Sequence, residues 1–184
     1  MSDTTIPKYI IDSNVFIQSH RRYYQFGFCP GFWEWIERIN YDNGLILSID
    51  KVYEELTQGN DLLCKWVKER KDRFAKFDVE SMKYVSEIHR ILKEQGVEER
   101  KITEFVDNKK ADAFLIAYAK AHNCTLITHE VRTNNIKAKK VHMPDVCDII
   151  GVEYKTLFEI MSCDTSNCLV LSKKTTRLKK LGSA

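Results

Sequence analysis

Four carboxylates stand where this chain could do chemistry: Asp12, Glu55, Asp112 and Glu130. They come from distant stretches, and each lies at the end of a short apolar run or in an early turn of a helical one. Carboxylates gathered in one place repel and raise each other's pKa. A divalent cation removes that cost. Mg²⁺ and Mn²⁺ take oxygen ligands and keep several waters. One or two such ions can activate a water and stabilise the leaving oxygen of an in-line phosphoryl displacement. Each acid also has a plainer role when taken alone. Asp12 can form a turn or cap a helix. Glu55 can lie on a solvated helix face beside the equally polar Glu54, and Asp112 can complement a helix dipole. Only the convergence of all four separates the two readings.

Convergence depends on the elements that carry them. Tyr9-Ile10-Ile11, Leu45-Ile46-Leu47 with Ile49, and Thr125-Leu126-Ile127-Thr128 have the character of short buried strands. Apolar periodicity, caps and glycine stops predict helices over 31–40, 50–57, 62–70, 79–95, 108–122 and 155–161. Strands alternating with helices indicate an α/β fold with a parallel sheet. In open sheets of this kind ligands bind outside the carboxyl ends of the strands. Asp12 directly follows the first strand, and Glu130 lies just past the third. Glu55 sits in the second turn of the helix leaving the second strand. Asp112 sits near the start of the helix that runs back to the third. All four are thereby placed on one rim.

The composition suits such a fold. The chain has 184 residues, 43% hydrophobic and 30% charged, which is ordinary for a globular domain. It reads as one domain over 1–162 followed by a basic tail over 163–184. A net charge of +3 permits a nucleic-acid partner without demanding one. The six cysteines, Cys29, Cys64, Cys124, Cys147, Cys163 and Cys168, contain no C-x-x-C pair, so zinc-ligand spacing is absent. They read as small buried hydrophobes in a reducing compartment. The N-terminus is polar and no apolar run has membrane-spanning length, which predicts a cytoplasmic location and no membrane partner.

The motifs around the acids resemble those of PIN-domain ribonucleases. Tyr9-Ile10-Ile11-Asp12-Ser13-Asn14-Val15-Phe16-Ile17 resembles the opening motif, a strand ending in a metal-binding Asp. Val52-Tyr53-Glu54-Glu55-Leu56 resembles the second, in which the acid precedes Leu, and so points to Glu55. Lys110-Ala111-Asp112-Ala113 resembles the third, and Leu126-Ile127-Thr128-His129-Glu130 the fourth, where the family normally has Asp. The resemblance spans residues 9–130, in the family's order, and extends to the VapC-type toxins and a divergent PIN-like subgroup. It implies a three-layer α/β/α sandwich with a central, mostly parallel sheet, to which the stretch 62–106 adds a helical insert. It further implies Mg²⁺- or Mn²⁺-dependent endonucleolytic cleavage of RNA by Asp12, Glu55, Asp112 and Glu130. A homodimer and, in the toxin branch, a cognate antitoxin protein are implied as partners. Because Glu130 departs from the pattern, a catalytically silent RNA- or protein-binding module is the alternative. A phosphatase is disfavoured, because Asp12-Ser13-Asn14 lacks the second Asp of an aspartyl-phosphate site.

Other residues have two readings each. Asn14 and Thr128 orient a carboxylate or water at the centre, or else serve as a helix cap and a plain strand residue. Lys109, Lys110 and Arg132, with Lys137, Lys139 and Lys140, hold RNA phosphates or form a solvated face. Asp107 is a spare ligand or, more simply, a helix cap. His129 is a general base or, preferred here, a solvent-facing residue. The aromatic run Tyr23, Tyr24, Phe26, Phe28, Phe32, Trp33 and Trp35 reads as core or partner surface more readily than as a base-stacking platform.

Overall fold

Tyr9–Ile11 forms the first strand, β1, and Ile10 and Ile11 are fully buried. The computed structural model describes residues 9–39 and 47–163. β1 pairs in parallel with β4 (Thr125–Ile127), and β4 in parallel with β5 (Tyr154–Lys155). β2 (Ser48–Ile49) pairs in parallel with β3 (Phe74–Ala75). Two bonds join these ribbons: Ile11 N donates to Leu47 O at 3.0 Å, and Ser48 Oγ donates to Ile11 O at 2.6 Å. The spatial order is therefore β3-β2-β1-β4-β5. Ile10, Ile11, Ile49, Leu126 and Ile127 have no exposure at all. This is the continuous apolar signature of strands covered on both faces.

Helices fill the connections. α1 (Ser13–Gln18) leaves β1, runs into a π-turn at Ser19–Tyr23, and is followed by α2 (Pro30–Arg38). α3 (Asp50–Leu56) and α4 (Leu62–Lys68) separate β2 from β3. α5 (Val79–Glu94), α6 (Glu99–Phe105) and α7 (Asp112–His122) lead from β3 to β4. α8 (Met143–Ile150) leads to β5, and α9 (Leu157–Cys163) follows it. From β1 to β3 the chain steps one way across the sheet, and from β3 to β5 it steps the other way. Right-handed crossovers then put the two helix sets on opposite faces. The packing agrees, because α1 packs on α3 and α3 on α4, whereas α5 and α8 pack on α7. The result is the α/β/α sandwich that the sequence predicts.

α7 is the keystone of its layer. Residues 113–119 are all buried, so the helix is apolar all round and must be covered on every side. Asp112 at its first position is the exception. The sequence predicts this helix from residue 108, but it begins at Asp112. Asp107 accepts Lys109 N at 3.0 Å and folds a turn first, so it caps neither α6 nor α7, contrary to the helix cap expected from the sequence. α6, α8, β3 and β5 are additions to the sequence reading, being too short for their periodicity to register.

Most of the aromatic run is core, as preferred. Tyr24 stacks on Phe32 and Phe26 on Trp33, each with ring centroids 4.1 Å apart. Tyr23 and Phe28 are exceptions and are exposed. Cys64, Cys124 and Cys147 are buried and Cys29 half-buried. The predicted strand residues Leu45 and Ile46, Cys168 and the basic segment 164–184 lie outside the described residues. Among the described residues no helix is long and apolar enough to cross a membrane.

Ser48 joins the two ribbons from a fully buried position. Ser48→Ala leaves the Ile11 carbonyl without that donor, and urea denaturation should show a loss of about 1 kcal/mol.

Candidate functional site

The strand order reverses between β1 and β4, because the chain leaves β1 toward one edge and leaves β4 toward the other. That switch point opens a crevice at the carboxyl ends of the strands. Asp12 and Thr128 flank it, one residue beyond β1 and β4 respectively. Asp12 is fully buried and caps α1. Its Oδ2 accepts the Thr128 hydroxyl at 3.0 Å. Its Oδ1 has only long contacts of 3.4 Å, to Ser13 Oγ and Asn14 N. Thr128 Oγ1 also accepts Glu130 N at 3.1 Å, so one hydroxyl ties Asp12 to the strand end and to the turn after it. Asn14 reaches Asp12 through its backbone N–H.

Asp112 faces Asp12 from the start of α7. No hydrogen-bond donor among the described residues reaches its carboxylate. The N-cap of α7 is Ala111, whose methyl cannot accept a capping hydrogen bond. Glu55 supplies the cap from α3 by accepting Ala111 N at 2.8 Å. Glu55 is half-buried on this side of its helix, while Glu54 is exposed and pairs with Lys51. Glu130 is engaged at both oxygens: Lys140 Nζ lies 2.7 Å from Oε1, and Met143 N donates to Oε2 at 2.8 Å. His142 Nδ1 is 3.7 Å from Oε2.

The electrostatics follow from burial. Burial pushes the Asp12 carboxyl up to about 7, and the Asp112 and Glu130 charges push the same way, against the Thr128 and Asn14 bonds. Burial raises Asp112 to about 6, helped by Glu130 and Glu55 and opposed by Lys140 and Lys110. Burial also disfavours the Lys140 charge, but the bond to Glu130 and the field of the acids outweigh it and raise its pKa overall.

The four predicted acids thus share one electrostatic neighbourhood, in unequal roles. Among the described residues no three His, Cys, Asp or Glu side chains are already gathered as a metal site. From the described residues Asp112 accepts no hydrogen bond and Glu55 accepts one, whereas Asp12 accepts from Thr128 and, at 3.4 Å, from Ser13 and Asn14. An all-oxygen donor set of this kind suits Mg²⁺ or Mn²⁺.

The neighbouring residues are placed as follows. Asp112, Lys101, Lys110, Lys139 and Lys140 line one small pocket beside the crevice. Lys110 also pairs with Glu104 at 3.0 Å, Arg132 pairs with Asp148 at 2.9 Å, and Lys109 is exposed. His129, expected to face solvent, is half-buried. Its Nε2 is buried without a hydrogen-bond partner, and its ring lies near those of Tyr23 and Phe158.

Asp145 was not singled out by the sequence. It is buried in the first turn of α8 and accepts Thr133 N at 3.1 Å, Asn134 N at 3.0 Å and the Thr133 hydroxyl. It clasps the loop carrying Glu130 and Lys140. An acid in a helix's first turn is visible in sequence, but its partner twelve residues earlier is not.

Asp12 and Asp112 bind protons more readily folded than unfolded. Their contribution to stability is therefore complete at and below about pH 4 and is lost as pH rises through about 6 and 7. In EDTA the parent protein should lose stability between pH 4 and pH 8. Asp12→Asn should melt higher than the parent at pH 8, by on the order of 1–2 kcal/mol, and not at pH 4. A parent with a flat profile over that range would contradict the burial argument.

Comparison with known proteins adds the following. No curated protein matches the sequence. Among solved structures, the chain is similar to VapBC2 from Rickettsia felis, determined bound to a DNA fragment from its promoter. That similarity has 18% identity and a TM-score of 0.48, covering 80% of this chain and 97% of the other. A family model described as "Domain of unknown function (DUF4411)" matches residues 9–167. That match takes in β1 through α9 and all four acids, and the chain belongs to this family.

Proposed function

We propose that this protein is a PIN-like, Mg²⁺- or Mn²⁺-dependent endoribonuclease centred on Asp12, Glu55, Asp112 and Glu130. The observation that carries this reading is the pair Asp12 and Asp112, a fully buried and a half-buried carboxylate with raised pKa values at the switch point of a parallel sheet. Burying two like charges together costs stability unless a cation joins them. The four motifs in order supply the reaction class.

Asp12 and Asp112 are the residues that would hold the ion, with Glu55 and Glu130 beside them. When bound, the ion supplies an activated water and charge neutralisation at the phosphate. The chain's own groups do the positioning. Thr128 fixes one oxygen of Asp12. Glu55 fixes the first turn of α7 and thereby Asp112. Lys101, Lys110, Lys139 and Lys140 border the same pocket as Asp112 and offer cations to phosphates of the bound strand. Lys109 and Arg132 extend that basic margin. Hydrolysis by water leaves a 5′-phosphate and a 3′-hydroxyl, with no covalent intermediate. The toxin of a toxin–antitoxin pair is the physiological role the motif resemblance favours.

A second reading, a silent RNA- or protein-binding module, draws on Glu130, whose oxygens are already taken by Lys140 and Met143 N.

Purified protein should cut a mixed pool of structured and unstructured RNAs in Mn²⁺, and EDTA should stop it. Asp12→Asn should lower the rate by at least about a hundredfold while keeping the circular dichroism of the parent. Asp12→Asn as active as the parent would sink the assignment. Calorimetry separates the silent module, which need not bind Mn²⁺. For the toxin role, induced expression of the parent should arrest growth of a bacterial host, and Asp12→Asn should not.

A further inference from the structure

We propose that Lys140 is a built-in second cation of the acidic centre, so that the centre takes up one divalent ion where its carboxylates alone would invite two. The inference rests on the metal-binding reading above and deepens it.

Lys140 Nζ lies 2.7 Å from Glu130 Oε1, and Lys140 lines the same pocket as Asp112. It stands against Glu130, one of the four carboxylates that would hold an ion. Glu130 cannot readily turn away to bind one, because its other oxygen holds Met143 N at the start of α8. Charge balance points the same way. One divalent ion and one ammonium nearly offset four carboxylates, whereas a second ion would sit against the ammonium and be repelled by it.

The Lys140 side chain is 53% exposed while the Glu130 side chain it meets is only 12% exposed, and the backbone behind the ammonium is held. The loop that carries it is clasped by Asp145 through Thr133 and Asn134. The two residues flanking His142, Val141 and Met143, are 2% and 0% exposed. The backbone on the C-terminal side of Lys140 is therefore pinned into the core. The fold thus fixes the backbone from which the ammonium reaches Glu130. An ordinary surface ion pair contributes little and excludes nothing, and that alternative is what the test must separate.

The test is titration of the metal-free full chain with Mn²⁺, followed by calorimetry and by the electron paramagnetic resonance of free Mn²⁺. The parent, Lys140→Met and Lys140→Arg are compared, with circular dichroism confirming the fold. If Lys140→Met does not fold, Lys140→Gln takes its place. The parent and Lys140→Arg should each bind one ion. The neutral variant should bind a second ion, or bind the first at least about tenfold more tightly. Two ions in the parent, or a neutral variant indistinguishable from it, would overturn the role of Lys140 and leave the metal centre standing. Absence of Mn²⁺ binding in all three would overturn both this inference and the metal reading.

Discussion

A fully buried carboxylate at the end of the central strand sets the terms for everything around it. Asp12 caps α1 with one oxygen and takes the Thr128 hydroxyl with the other, so it joins the carboxyl ends of the paired parallel strands β1 and β4. It cannot be moved to solvent without uncapping α1 and releasing the turn after β4. The fold therefore keeps a group whose charge burial disfavours, and raises its pKa to about 7. Structures keep costly groups of this kind where the cost has a use.

The rest of the rim is organised around that constraint. Asp112 must approach Asp12 from the opposite layer, and it does so at the head of a helix buried on every side. Such a helix has no freedom to shift. Its first turn is capped from outside by Glu55, so one carboxylate is used to aim another. Thr128 performs the equivalent service for Asp12 and also receives the Glu130 backbone. The acids thus form a graded set. Asp12 and Asp112 are desolvated and have raised pKa values, Glu55 positions its neighbour, and Glu130 is held by a lysine and a helix terminus.

Glu130 shows how one methylene redistributes roles. The longer side chain lets its carboxylate reach past the crevice to Lys140 and to the free N–H of Met143, where the α8 dipole also favours negative charge. The loop 129–142 then becomes part of the centre, pinned by Asp145 at one end and by Val141 and Met143 at the other. A basic margin of Lys101, Lys110, Lys139 and Lys140 is assembled next to Asp112 from α6, the turn before α7 and this loop.

The sequence by itself determined the fold class and the rim. Apolar runs too short for anything but buried strands, alternating with helical periodicity, admit little except a parallel α/β sheet. Acids directly after those runs must lie at its carboxyl edge. The choice of Glu55 over Glu54 came from the resemblance of its motif, and their unequal exposure was not readable from spacing. Two-residue strands and short helices such as β3, β5 and α8 carry too few residues to display a period. Tertiary structure alone decided which acid does what. The capping of Ala111 by Glu55 spans 56 positions and the Thr128 bond to Asp12 spans 116. No local pattern encodes those separations. The same is true of Lys140, one lysine among several in the chain, whose contact with Glu130 ten positions away follows from how the loop between them folds.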